Sequence, residues 1–521
     1  MNERKEMKDF RMYAVFCMVF ALLFTICYYK NMMGVTTPVF YVGTLVFMEL
    51  SRRKLEIPFN RKTLPICIAL ILTGVSGFFT ANLCIQLCSA FFYVFYVLLL
   101  IMMHVYDTTS WNVLDYFSGL AHILMAGLNA LPNIFTDCKT YWSYRNEECG
   151  KKSILKNPNI KIGIVSFLCA IPVMFIMLCL LASSDAVFSN IIGTALDSLF
   201  DTQIIVNSIL FLFLFFVMLI VSYGYLAGCS KEMACPRFPK KAKNYNPIAI
   251  LILGGDLLIV YFIYSVVQIG ALFLGKMDLP DGYTYSQYAR EGFYQLLLVC
   301  LFNFFLIMSS HLFIAKSKSA NVILTLITAC TYIMMASAAF RMGMYVDAYG
   351  LTRKRVLVFW ILAMLVLLFA GLEVVIWKPS FPYFLFATGV VSVFYLGLAF
   401  SHMDYWIAYY DLFYRNPEEF VTTASTQESD ICYEDTDYDR VPRETTYDAV
   451  SMRYLEHGLS IDATPVIVAY YQQHSSQTNS QLAEYKSYIE THWNLNNHGR
   501  GLHYSKLQAQ KALKHVNNSN T

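Results

Sequence analysis

Pro280-Asp281-Gly282-Tyr283-Thr284-Tyr285-Ser286-Gln287-Tyr288-Ala289-Arg290-Glu291-Gly292-Phe293 opens the segment on which the reading of this chain turns, and Tyr345-Val346-Asp347-Ala348-Tyr349-Gly350-Leu351-Thr352-Arg353-Lys354-Arg355 closes it. Between them lie two apolar runs, 292–314 and 320–346, each as long as a membrane crossing requires. Pro280 and Gly282 mark a turn, and Thr284 with Gln287 has the spacing of a capping box, which predicts a helix from about Tyr285. Arg290 and Glu291 then fall in its first turns, where charge still reaches the interface. Gly350 suits the left-handed position that closes a helix, and Thr352 suits the cap of the next. Arg341 and Asp347 lie in the last turns of the helix between, about 120° apart around its axis, so they face different neighbours.

Composition agrees with this local reading. The chain has 521 residues, 57% hydrophobic and 14% charged, with a mean hydropathy of +0.47. A soluble domain of this size carries roughly a quarter charged residues, so the class is membrane. A net charge of +3, dispersed along the chain, argues against nucleic acid as a partner. Most of the 14 cysteines sit inside apolar runs and behave as small hydrophobes. Cys229 and Cys235 share a basic loop but offer too few ligands for a metal site. The basic N-terminus leads into an apolar run without a small-residue cleavage site, so that run reads as the first span and not a signal peptide.

Further spans are expected near 12–29, 33–50, 64–80, 84–105, 162–181, 203–226, 248–274, 356–377 and 382–401, making eleven with the two above. A twelfth candidate, 112–134, carries Asn112, Asp115, His122 and Asn129, and either spans or lies in the interface. If it does not span and the N-terminus is cytoplasmic, the clusters Arg4–Arg11, Arg52–Lys62, Lys139–Lys161, Lys231–Lys243 and Lys316–Lys318 all face inward. That reading fails locally at Arg353-Lys354-Arg355, which it places outside.

Residues 402–448 read as an acidic linker: from Pro417 to Asp448 there are ten acids against two arginines. Residues 449–521 read as a small helical tail, with an apolar patch at Tyr454, Leu455, Leu459, Val466 and Ile467 and two further helical stretches. So short a segment buries little core alone, so docking on the bundle or on a protein partner is expected. The fold class is an all-α polytopic bundle, residues 1–401, with this tail appended.

Six charged residues are candidates for function: Asp256, Arg290, Glu291, Arg341, Asp347 and Glu373. Asp256 follows Gly254-Gly255 well inside a span, where a carboxylate costs about 3 kcal/mol and serves either as a proton or cation site or as a tie to a neighbouring helix. Glu373 lies four residues before Trp377, and a glutamate snorkelling beside an interfacial tryptophan explains it adequately without a functional role. Arg290, Glu291, Arg341 and Asp347 fall at the outer ends of adjacent spans, either binding a substrate or stapling helices. His122 and Asp115 share a helical face and form a weak acid–base pair. Nothing resembles a phosphate loop, a zinc helix, a nucleophile elbow or a dinucleotide fingerprint, and no cofactor or catalytic residue is assigned.

The two opening signatures resemble those of the bacterial multi-pass membrane proteins called domain of unknown function 4173, relatives of the 4153 group. Leu279 through Gln295 and Tyr345 through Val356 carry the resemblance. Ala182-Ser183-Ser184-Asp185-Ala186-Val187-Phe188 and Ser460 through Pro465 extend it across most of residues 160–515. The resemblance implies a bacterial cytoplasmic-membrane protein and brings no activity with it. The leading functional expectation is a transport-like protein or a membrane component of an envelope pathway. The alternatives are a sensor or scaffold whose tail meets a partner, and a membrane enzyme acting on lipid-linked substrates.

Overall fold

The computed structural model describes residues 2–31, 34–108, 111–148, 166, 177, 202–232, 245–273, 285–315, 317–415, 450–493 and 501–519. Among these the chain is an all-α polytopic bundle. Its helices are α1 (Asn2–Tyr28), α2 (Thr36–Lys54), α3 (Leu64–Phe79), α4 (Leu83–Val105), α5 (Val113–Ala130), α6 (Asn133–Glu148), α7 (Thr202–Glu232), α8 (Ile248–Phe273), α9 (Tyr285–Phe313), α10 (Lys318–Tyr349), α11 (Arg353–Trp377) and α12 (Tyr383–Phe400). Beyond the bundle come α13 (Met403–Tyr409), α14 (Thr464–Gln473), α15 (Ser475–Trp493) and α16 (Tyr504–Ser519).

Eight of the described helices, α3, α4 and α7 to α12, are long and apolar enough to cross a membrane. The differences from the expected eleven have plain causes. In α1 the apolar part is short, Met12–Tyr28. In α2 the last turns carry Glu49, Arg52, Arg53 and Lys54. The expected span 162–181 lies outside the described residues. The start at Tyr285 and the positive φ of 83° at Gly350 agree with the sequence reading. Thr352 is the N-cap of α11, but its side chain makes no capping hydrogen bond.

The interior has two apolar halves. α1 to α5 and α7 close around Phe20, Phe40, Tyr41, Leu99 and Met102, and α8 to α12 around Cys300, Ile307, Ile327, Phe369 and Leu372. Lipid tails are as apolar as these side chains, so close fit and interhelical hydrogen bonds hold such helices together. Phe20 stacks on Phe47 at 4.3 Å between ring centres. Gly254 lets α8 approach α10 so closely that a Cβ there would lie 2.8 Å from Ile323. α12 joins the halves: Phe384 stacks on Tyr116 at 4.2 Å, and the Tyr395 ring stacks on Phe92 at 4.1 Å.

The bundle has two unlike ends. One gathers Arg52, Arg53 and Lys54 at the close of α2, Arg61 and Lys62 before α3, Lys318 at the start of α10 and Lys378 after α11. α5 packs against this basic end along its length. His122 is 3.0 Å from the Tyr106 hydroxyl just past α4, and Ala126 lies against Gly228 late in α7. An apolar cavity of about 360 Å³ opens between α1, α2, α4, α5 and α7, with Phe20, Phe47, Tyr93, Leu98, Met218 and Tyr225 among its walls. The opposite end gathers the loops after α3, α10 and α12, and there the tail sits.

Candidate functional site at the junction of bundle and tail

The sequence around the loops at the tail end explains their shape. Asn82 caps α4, its Oδ1 accepting from the Cys84 N–H at 3.0 Å, which leaves its amide N–H₂ pointing elsewhere. Gly350 closes α10 and Thr352 opens α11, so Arg353 is the first residue of a membrane helix. His402 adopts a left-handed φ of 49°, which ends the α12 segment and turns the chain into α13, with Asp404 in its first turn. α13 continues as a π-helical turn, Tyr410–Arg415, which carries Asp411 on the inward side.

These elements converge on Asp404, which is 1% exposed. Arg353 grips it with two parallel bonds, Nε to Oδ1 at 2.7 Å and Nη2 to Oδ2 at 2.6 Å. The Asn82 amide donates to Oδ2 at 3.0 Å, and the backbone N–H of Ser460 in the tail donates to the same oxygen at 3.0 Å. Fork geometry of this kind is the strong form of the charge-assisted hydrogen bond. One carboxylate therefore ties together α11, the α3–α4 loop, α13 and the tail.

Two more buried carboxyls flank it. Asp462, in the tail, accepts from the Thr80 hydroxyl at 2.6 Å, and its other oxygen has no hydrogen-bond partner among the described residues. Burial pushes its carboxyl up, with Asp404 adding to the effect, while the Thr80 hydrogen bond works against it. Asp411 accepts from the Leu351 N–H at 2.8 Å, and its second oxygen also lacks a partner among the described residues. Burial raises it to about 7, and the Leu351 N–H, Arg415 and Arg355 only partly offset that. Arg415 and Arg355 themselves turn to the carbonyls that end α10: Arg415 donates to Ala348 and Arg355 to Tyr349, at 2.5 and 3.0 Å.

The tail covers this junction with an apolar core of its own. Leu455, Ile461, Ala463, Ile467 and Tyr470 pack against Ile407, Ala408 and Leu412 of the α13 segment, so residues expected to start the linker are instead helical and buried. Pro465 falls in the first turn of α14, where its missing N–H costs nothing. From α16 the Ser505 hydroxyl donates to the Phe79 carbonyl at 2.7 Å, and the Tyr504 ring meets Phe79 at 5.4 Å. Further out, burial raises Glu456, whose carboxylate accepts from the Tyr471 hydroxyl.

The six sequence candidates are spread over the bundle and do not converge. Asp256 is on the exposed face of α8. Arg290 and Glu291 lie in the first turns of α9, and their side chains fall outside the described residues. Arg341 is half-buried on α10, and Asp347 is exposed in its last turn. Glu373 accepts from Thr325 at 2.7 Å and from the Trp377 indole at 2.9 Å, at the basic end. His122 and Asp115 serve separate neighbours, since Asp115 accepts from the Asn112 N–H at 2.8 Å in a capping box.

The family comparison fits this arrangement. The domain of unknown function DUF4153 matches residues 67–433. This chain belongs to that family. The DUF4153 match takes in Thr80, Asn82, Arg353, Asp404 and Asp411, while the tail residues that meet them, Ser460 and Asp462, lie beyond it. No curated protein and no solved structure matches the chain.

Reasoning on the sequence missed the junction residues because nothing local marks them. One signal was present: Arg353-Lys354-Arg355 broke the positive-inside pattern. Two of those charges are engaged, Arg353 by Asp404 and Arg355 beneath the Tyr345 ring at 4.0 Å, leaving Lys354 exposed. Charges consumed inside a fold have no call on the membrane potential or on anionic lipid.

Proposed function

We propose that this DUF4153 protein is a membrane scaffold or sensor in which the bundle holds the tail clamped across one end and the clamp is the working part. The observation that carries this reading is Asp404, saturated by four hydrogen bonds from three separated parts of the chain. A buried carboxylate held by four bonds is poorly placed to meet a substrate. It is suited to setting whether the tail is docked. Asp411 and Asp462, each with an oxygen left over and a raised pKa, make docking responsive to protons or to a ligand that supplies donors.

The charge distribution supports a particular orientation. Exposed Lys54, Arg61, Lys62, Lys318 and Lys378 gather at the basic end, where Arg52 and Arg53 pair with Glu49, and the positive-inside rule assigns that end to the cytoplasm, so the tail and its partner are on the far side. α5 is then an interfacial helix on the cytoplasmic face. The membrane is taken as the bacterial cytoplasmic membrane.

In cells lacking the protein, Asp404→Ala and deletion of 450–521 should give the same loss of function with membrane insertion intact. A truncated protein that restored full function would end this reading.

A transport-like role is the second reading, favoured by a run of buried polar contacts through α8 to α11. Gln268 accepts from Ser337 at 2.5 Å, Tyr261 donates to Asn303 at 2.8 Å, Asn303 donates to Thr331 at 2.8 Å, and Thr325 donates to Glu373. Arg341 lies one turn beyond Ser337. Here Asn303→Leu and Arg341→Ala should abolish function while the tail stays docked, the reverse of the outcome expected for the clamp.

A further inference from the structure

The segment Met403–Arg415 buries two carboxylates beside the apolar Met403, Ile407, Ala408 and Leu412, and leaves aromatic rings exposed. Its inward side carries the carboxylates Asp404 and Asp411, 1% and 0% exposed. Its outward side carries Trp406, Tyr409 and Tyr414, which are 56%, 46% and 77% exposed, with Tyr410 half-buried beside them, while Tyr405 and Phe413 pack against the core that the segment shares with the tail. The rings form a ladder: Tyr409 stacks with Phe413 at 5.5 Å and Tyr410 with Tyr414 at 5.4 Å. A helix facing water carries polar side chains on its outer face where this one carries rings.

Its position is set by bonds at both ends. Asp404 holds Asn82 and Arg353, and seven residues on, two helical turns away, Asp411 holds the Leu351 N–H. Both contacts are with loops at the same end of the bundle, so the segment lies across that end and does not project from it. Only Ser401 and His402 separate it from α12, so Met403 is within about 10 Å of the last turn of a spanning helix. That keeps the segment close to the headgroup layer, about 5–8 Å thick on each side of the hydrocarbon. The preceding helix α12 also turns an apolar side chain outward, Val393 being 68% exposed.

We infer that the aromatic face of residues 403–415 is a membrane-interface seat, its rings placed among the lipid headgroups of the leaflet on the tail side. Tyrosine and tryptophan suit that layer because each joins an apolar ring to a polar group that stays hydrated. The seat fixes the depth of the segment that also carries both junction carboxylates, so it would make tail docking sensitive to the surface of that leaflet. That consequence rests on the clamp reading; the seat itself does not.

The test uses the full-length protein in phosphatidylcholine nanodiscs and the fluorescence lost on Trp406→Phe, which isolates the Trp406 signal from the other tryptophans. Bromine near the top of the acyl chains should quench that signal strongly, bromine near the chain ends weakly, and aqueous iodide little. Quenching by iodide alone would place the face in water and overturn the seat. Protection from all three would mean protein covers it, which also overturns it. A Trp406 signal at interface depth with a functional tail truncation would keep the seat and reject the clamp.

Discussion

The interior of the bundle and the junction at its tail end bury side chains to a similar degree but hold together by different means. Inside the bundle, stacked rings and small-residue approaches such as Gly254 on Ile323 dominate, and polar contacts such as Tyr261 with Asn303 join neutral groups. At the junction, three carboxylates and three arginines lie within one packed region, and one carboxylate accepts four bonds. Lipid offers no alternative partner to a polar group, so a spanning helix carries few of them. The junction is bordered by water, so a released tail can be solvated, and docking is a balance that charge can tip.

Asp404→Ala should produce the largest effect. It strands Arg353, Asn82 and the Ser460 N–H in a buried site, a change worth roughly 3–5 kcal/mol. Trypsin cleavage of the tail in nanodiscs should accelerate by two to three orders of magnitude, on the order of what that energy implies. Unchanged protection would show that apolar contacts alone hold the tail. Gly350→Ala comes next, because its φ of 83° strains any side chain and a Cβ would lie 2.6 Å from Asp411 Oδ1 and 2.8 Å from Arg415 Nη1. Roughly 2 kcal/mol of lost docking is expected, read by the same cleavage assay.

Acidity separates the two regions more finely. Asp411 sits at about 7 when docked, against about 4 for an ordinary aspartate in a released segment. The docked form therefore binds more protons across that window. Docking should be tightest in acid, weaken as pH rises from about 4 to about 7, and level off above. Asp462, also raised, acts in the same direction. Asp411→Asn, which keeps the oxygen that accepts from Leu351, should flatten much of this slope and tighten docking at pH 8 by roughly tenfold. A slope that survives in the Asp411→Asn, Asp462→Asn double variant would assign the response elsewhere. Asn303→Ala should cost least, about 1 kcal/mol of bundle stability in a thermal melt, and should leave tail cleavage unchanged.

How much of this could be read from the chain differs between the same two regions. Apolar length alone marked the spanning helices, because a bilayer imposes a single requirement that about 20 residues either meet or do not. Gly350 was legible too, since few residues adopt its backbone conformation and its place after a helix is a local matter. Asp256, Arg341 and Asp347 drew attention because charge in an apolar run is conspicuous, yet the structure does not bring them together. Asp404 was inconspicuous because it stands just past a span, where acids are ordinary.

The amino-acid sequence by itself determined the class, the helices, the unlike charge of the segments between them and the family signatures. Each of these depends on residues near one another in the chain. Only the tertiary structure decided that Thr80, Asn82, Arg353, Asp404 and Ser460 meet, and that two arginines breaking the topology rule are already engaged. The physical reason is separation: Asn82 and Asp404 are 322 residues apart, and no local periodicity records which buried donor will satisfy a carboxylate brought to it by packing.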